Sequence, residues 1–460
     1  MRKSWFVLAT LPGVGLLTAC DNQGYIPLPY QDGGPETSST FDGSTAEAGS
    51  DSSGPADAGG DAGDAAGDAD AGPPPPSRLL LTYNGSSSSE LVAFGMSSRA
   101  VDGRVTYGDP LGAAFAGATA PWLLEQSTDV VARLDAQHPW VLDSSWNVAL
   151  NDLTDAGYAQ SYSDPQAVLV TAGTKAYVLR YTRNLVAIIN PSVVADGGAP
   201  TGTIDLSSEL QAGGDGYVQP VAGVYVAAQQ RVYVVLGNIN RNDVVNDGFN
   251  LLCASTTPTV IAIDTTNDTL VDLNGSAPGN GWPLVGYSPV LGPGGIAYDP
   301  LTGSNGRLLV LEAGCNDATA DGGAGALVKR EVEAVDLAAG TAQELLDLTS
   351  QAFPSALTYI DAHDAIVQLD TAYKWDPTTT TLGTAIPGAP DTLAPAVYDG
   401  AGNLLGLAPA PTDAGTPEGG APGYDVVSVS VASGTVTTLG TVSFTLTGGF
   451  VGGVALWPSP

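Results

Sequence analysis

The chain has 460 residues with 48 acidic and 15 basic side chains, a formal net charge of −33, 59 Gly and 33 Pro. This balance excludes nucleic acid as a partner, because phosphate binding needs clustered Lys and Arg. The Gly and Pro content argues against a helical protein, while Val and Thr in short alternating runs argue for strands.

The first elements are those of a secretory leader over residues 1–19. Met1-Arg2-Lys3 form a basic start, an apolar run extends from Trp5 to Leu17, and Leu17-Thr18-Ala19 lead to Cys20. The run is too short to span a bilayer as a helix, which needs about 20 residues. Pro12, Gly13 and Gly15 also spoil it as a buried helix. A cysteine directly after Leu-x-Ala resembles the lipobox of bacterial lipoproteins. That resemblance implies cleavage before Cys20 and acylation of Cys20, with palmitate or a similar chain. It implies an envelope protein held to a membrane by lipid. The outer membrane or cell surface is expected ahead of the inner membrane, although Asp21 resembles an inner-membrane retention signal of some bacteria.

Residues 20–78 change character. Asp, Gly, Ala, Ser and Thr dominate, and no Lys or Arg occurs between Lys3 and Arg78. Low hydrophobicity with one sign of charge predicts a disordered acidic linker. Pro73 to Pro76 add a short polyproline spacer. A flexible tether of this length spans about 40 Å.

From residue 79 to 460 an apolar strand, a tight polar turn and a second apolar strand recur. Gly223–Ala228 with Arg231–Leu236 is the clearest pair. Ala167–Val170 with Ala176–Leu179, Gly295–Tyr298 with Leu308–Leu311, Ala356–Tyr359 with Ala365–Gln368, and Ala396–Tyr398 with Leu404–Leu407 repeat it; Trp122–Leu124 with Val130–Ala132 reads as a weaker copy. A third and a fourth strand follow most pairs. Four strands per unit at a period of about 40–55 residues predict an all-β fold, a single β-propeller of about seven four-stranded blades. An array of β-sandwiches is the alternative. Leu79–Tyr83 lacks a preceding strand and Gly452–Trp457 lacks a following partner, so the C-terminal strand is expected to complete the first blade and close the ring.

Val232-Tyr233-Val234-Val235, Asn238, Pro258–Thr265 and Thr269-Leu270-Val271 resemble the YVTN-type β-propeller repeat, well over residues 231–272 and more faintly across 160–440. The resemblance implies the fold. Its relatives include lactonase-like enzymes and proteins of no known activity, so it barely constrains function.

In a propeller, the loops from second to third strands share one face with the connectors between blades. The long ones are predicted at 238–257, 314–330, 408–424 and 273–293. Cys253 and Cys315 fall on two of them, and an exported protein favours their pairing; two buried free thiols are the alternative. Asn240, Asn242, Asp243, Asp247, Phe249, Trp282, Tyr287 and Asp317 are the candidate binding residues of that face, with core or blade packing the equal alternative for the aromatics Phe249, Trp282 and Tyr287. The Asn- and Asp-rich stretch supplies oxygens of the kind Ca2+ takes. It departs from the EF-hand pattern, however, because Asp243 stands where Gly belongs and no Glu closes the loop. Ca2+ is therefore an open candidate beside ordinary turn chemistry. His138 and His363, the only histidines, are expected in solvated loops, and Asp264 and Asp336 are expected to order the turns after their strands.

No catalytic residue is predicted. There is no Gly-x-Ser-x-Gly elbow, no haem-binding Cys-x-x-Cys-His and no phosphate loop. The sequence favours a monomeric binding or scaffold module for an envelope protein or glycan. A lactonase-like hydrolase using a divalent cation in the channel is the alternative.

Overall fold

The structure is a computed structural model. It describes residues 77–458 except 109–111, 117–118, 151, 153–161, 242–250, 254, 276–280, 301–304, 318–325, 390–395, 411–422 and 448. The leader, Cys20 and the acidic linker lie outside the described residues.

The chain forms a seven-bladed β-propeller, each blade an antiparallel sheet. Blade 1 holds β1 (Arg78–Asn84), β2 (Ser89–Gly95), β3 (Ala100–Tyr107) and the C-terminal β28 (Phe450–Trp457); blade 2 holds β4 (Gly112–Ala116), β5 (Pro121–Glu125), β6 (Val130–Leu134) and β7 (Leu142–Asn147). Blade 3 is β8 (Pro165–Ala172), β9 (Lys175–Arg180), β10 (Leu185–Ile189) and β11 (Gly202–Asp205); blade 4 is β12 (Pro220–Val226), β13 (Arg231–Leu236), β14 (Thr259–Asp264) and β15 (Thr269–Val271), with a two-residue β16 (Trp282–Pro283) also on β14. Blade 5 is β17 (Ile296–Asp299), β18 (Arg307–Asn316), β19 (Leu327–Asp336) and β20 (Thr341–Asp347); blade 6 is β21 (Ala356–Asp361), β22 (Asp364–Gln368) and β23 (Ala372–Trp375); blade 7 is β24 (Val397–Tyr398), β25 (Asn403–Pro409), β26 (Gly423–Ser430) and β27 (Val436–Ser443). Three 3-10 turns are the only helical elements among the described residues, and none is long and apolar enough to cross a membrane.

The ring closes as expected. β28 pairs with β1 in the order β28-β1-β2-β3, setting Leu80 opposite Ala455 and Leu81 opposite Val454.

Two details differ from the sequence reading. The pair Trp122–Leu124 and Val130–Ala132 forms the second and third strands of its blade, not the first and second. The innermost strand is Gly112–Ala116, whose Gly-Ala-Ala-Phe-Ala lacks the β-branched residues that advertise a strand. Among the described residues blade 6 is three-stranded, not four-stranded. After Trp375 the chain reads Asp-Pro-Thr-Thr-Thr-Thr-Leu-Gly, and only an isolated Tyr373–Ala385 bridge stands outside β23. Pro withholds a ladder donor and Gly weakens a strand, which leaves the outer edge without a continuous ladder.

Period-two alternation sends successive side chains to opposite faces. Here each face meets a neighbouring blade, so the inner strands read as unbroken apolar runs. Leu308 and Val310 pack into the seam with blade 4, Leu309 and Leu311 into the seam with blade 6. Val232, Val234 and Leu236 likewise face blade 3, while Tyr233 and Val235 face blade 5. Seven buried clusters fill the seven seams, and the one between blades 7 and 1 includes Val451 and Leu456 of the closing strand. Each fully buried aliphatic side chain contributes about 1.5–3 kcal/mol.

Candidate functional site

Second strands end, and innermost strands begin, on the face carrying the long loops. On that face the connectors leave the sheet ladders, so their backbone groups need side-chain partners. Polar residues at strand ends supply them. Glu90 accepts from Thr445 N–H (2.6 Å) and Oγ1 (2.8 Å) and pairs with Arg104 (2.8 Å). Asn184 accepts from Val218 N–H (2.9 Å) and donates to the Gly216 carbonyl (3.0 Å). Gln368 both accepts from and donates to the backbone of Ala396, at 2.6 Å each way. Asp129 accepts from Ser163 N–H. These contacts tie one blade's strand end to the segment entering a blade.

Cys253 and Cys315 are disulfide-bonded, with Cα atoms 5.0 Å apart. Backbone bonds flank the bridge: Cys253 N–H donates to Asn316 O (3.0 Å) and Asn316 N–H to Leu251 O (2.8 Å). The loop of blade 4 is thus fastened to the end of β18 in blade 5. The blade 5 loop is shorter than the predicted 314–330, because β18 and β19 stay paired to Asn316 and Leu327.

Of the predicted binding residues, Asn242, Asp243, Asp247 and Phe249 lie outside the described residues. Asn240 and Asp317 are half-buried on the long-loop face. For Trp282 and Tyr287 the structure selects core packing over the binding patch. Trp282 is 7% exposed, its Nε1–H donates to the Leu273 carbonyl (2.9 Å), and it belongs to the seam between blades 4 and 5. Tyr287 is fully buried in the same seam. The physical reason is that the blade 4–5 connector folds back against the sheets, where large aromatics gain most from burial.

His138 and His363 are exposed, each beside an aspartate (Asp135 and Asp376). His363 stands on the opposite face, in the β21–β22 turn. Asp264 caps its own turn by accepting from Thr266 N–H (2.7 Å), and Asp336 does the same for Ala338 (2.8 Å) and Ala339 (2.9 Å). Among the described residues no group of three His, Cys, Asp or Glu side chains is placed to hold a metal ion.

Three polar clusters on this face were not foreseen from the sequence. In the first, Asp152 accepts from Arg180 Nη1 (2.6 and 2.8 Å) and from Arg183 Nε (3.0 Å), all nearly enclosed. In the second, Asp215 holds Arg241, whose guanidinium carbon stands 4.6 Å from the ring centre of Tyr217 and 5.4 Å from that of Tyr181. In the third, Glu312, Glu331 and Glu333 share one face of blade 5, with Glu312 directly opposite Glu331. Glu333 accepts from Val285 N–H (2.7 Å) and Gly286 N–H (3.1 Å). Both carboxyl oxygens of Glu312 are buried without a hydrogen-bond partner. Burial pushes the Glu312 carboxyl well above the usual range, and Glu333 and Glu331 add to the rise. Burial, with Glu333 and other carboxylates, pushes Glu331 up to about 8. Both carboxyls are thereby biased towards the protonated form.

The signal for the third cluster was present in the sequence: Glu312 ends the run Leu308-Leu309-Val310-Leu311 at a position whose i−2 and i−4 neighbours are core. Arg241 offered no such signal, because its aromatic partners come from other segments.

Fold and face together define a seven-bladed propeller with one cross-braced, polar-lined face. No protein family and no curated protein matches the chain by sequence. Among solved structures it is similar to the periplasmic gluconolactonase PpgL of Pseudomonas aeruginosa (13% identity, 84% of this chain and 99% of that chain, TM-score 0.43). It is also similar to a putative 6-phosphogluconolactonase of Bacteroides fragilis (10%, 82% and 98%, 0.45) and to apo AztD of Citrobacter koseri (10%, 83% and 98%, 0.42). At these scores no function passes to the chain.

Proposed function

We propose that this chain is a lipid-anchored protein of the bacterial envelope whose propeller binds a protein or glycan partner through its long-loop face. The supporting observation is the bridge between Cys253 and Cys315, which fastens the long loop of blade 4 to the end of β18 in blade 5. Loops fixed to a rigid scaffold are the usual carriers of recognition, and bracing them lowers the ordering entropy that binding costs. The acidic linker would let that face reach beyond the membrane surface. The lactonase-like reading would need a cation held by clustered donors. Among the described residues no group of three His, Cys, Asp or Glu side chains is placed to do so.

Site-specific cross-linking in intact cells tests the reading. A photoreactive residue at Asn240 or Asp317 should cross-link a discrete envelope component, whereas one at His363, on the opposite face, should not. Equal cross-linking from both faces, or none from either loop position, overturns it. Turnover of a sugar lactone by the full-length protein, dependent on a divalent cation, would replace it with the hydrolase.

A further inference from the structure

Arg241 is held in a manner that suits a ligand better than a structural ion pair. Gln219 clamps the segment before it, accepting from Ile239 N–H (2.8 Å) and donating to Ile239 O (3.1 Å). Asp215 accepts from Tyr217 N–H (3.1 Å), Gln219 Nε2 (2.9 and 3.0 Å), Arg241 N–H (3.4 Å) and Arg241 Nε (2.5 Å). Its acceptor capacity is therefore filled, and Nη1 of Arg241 gets nothing from it. Nη1 is buried with no hydrogen-bond partner, on a side chain that is only 10% exposed. A charged donor buried without an acceptor is costly, and native folds rarely leave one.

The rings of Tyr217 and Tyr181 fix the plane of the guanidinium. Burial works against its charge, but Tyr181, Asp215 and Tyr217 outweigh that and keep the group above its ordinary value. Arg241 is thus a permanent cation with Nε engaged by Asp215 and Nη1 unpaired. A guanidinium edge matches a two-oxygen planar acid. A planar group can continue the guanidinium plane along the ring faces, whereas a tetrahedral oxyanion projects oxygens out of it. Arg180 also buries donors without acceptors, but its side chain is wholly enclosed (0% exposed), whereas that of Arg241 keeps 10% of its surface open.

We propose that Arg241, oriented by Asp215 and walled by Tyr181 and Tyr217, is a binding site for the carboxylate group of a ligand on the long-loop face. The proposal rests on the reading of that face as a recognition surface and names the ligand chemistry. Because the chain carries a net charge of −33, anions are otherwise repelled, and selectivity for a carboxylate would lie at this one residue.

Saturation-transfer NMR on the full-length protein in detergent, with acetate as probe at constant ionic strength, tests it. Wild type should give saturable transfer to the acetate methyl group, and equimolar sulfate should not displace it. Arg241→Gln should abolish the transfer. Arg241→Lys keeps the ion pair with Asp215 but lacks the fork, and should weaken acetate at least about tenfold; it carries the test if the Gln variant does not fold. No transfer in wild type, transfer unchanged in a folded variant, or displacement by sulfate as effective as by acetate would each overturn the assignment. Acetate bound as predicted, with no partner cross-linked from Asn240 or Asp317, would leave this site standing and remove the partner reading alone.

Discussion

Leu81, in the first strand of the propeller, lies directly opposite Val454 in the last, and that pairing turns a row of seven sheets into a ring. Without it blade 1 would begin at an unpaired β1, an edge open to other chains. The seams on both sides of blade 1 depend on the same strand, since Leu456 packs toward blade 7 and Trp457 toward blade 2.

Trp457→Ala should therefore destabilise the whole ring. The indole is 2% exposed and its Nε1–H donates to Ala136 O (2.9 Å). A cost of about 3–5 kcal/mol is expected, read as a lower urea midpoint with an unchanged slope. A variant ending at Gly449 should fare worse and associate through β1. A truncated chain that stayed monomeric with wild-type stability would contradict the closure.

Reducing the bridge between Cys253 and Cys315 should lower stability without opening the ring. For the 62-residue separation, the chain-entropy figure is about 4 kcal/mol as an upper value. Cys253→Ser and the double variant should be equally affected, because either removes the same bond. The flanking backbone bonds of Leu251, Cys253 and Asn316 do not need the sulfurs. Circular dichroism should therefore keep its β signature while denaturant unfolding shifts with reductant.

The buried acids of blade 5 predict an alkaline loss of stability. Glu331 ionises near 4.5 when unfolded and at about 8 when folded, and Glu312 is also raised well above its ordinary value. Between those values the folded state binds more protons than the unfolded state, so stability falls as pH rises from about 4.5 to 8. Melting temperatures across that window should decline, and Glu312→Gln with Glu331→Gln should flatten the slope. A slope unchanged in the double variant would assign the decline to the net negative charge instead.

Much of this fold is legible in the sequence because a propeller repeats one simple unit. Paired apolar runs such as Val232–Leu236 mark the strands, and the orphan segments Leu79–Tyr83 and Gly452–Trp457 mark the closure. What fails is local. Gly112–Ala116 carries no strand signal, and the Thr- and Pro-rich segment after Trp375 reads like any other blade edge. The candidate site was legible only as loops. Trp282 and Tyr287 stay open in the sequence between binding patch and core, since sequence does not show a connector folding back onto its sheets. Arg241 meets Asp215, Tyr181 and Tyr217 only after three segments of two blades are assembled. Strand periodicity is local and chemical sites are not.

The proposed envelope protein is a closed propeller tethered through Cys20. Membrane fractionation of cells expressing Cys20→Ser tests it most directly. An acyl anchor holds by about 0.8 kcal/mol per buried methylene, so wild type should sediment with membranes and incorporate labelled palmitate. The variant should be soluble, unlabelled and folded, with its bridge between Cys253 and Cys315 intact. A Cys20→Ser protein that remained in the membrane fraction would contradict the account.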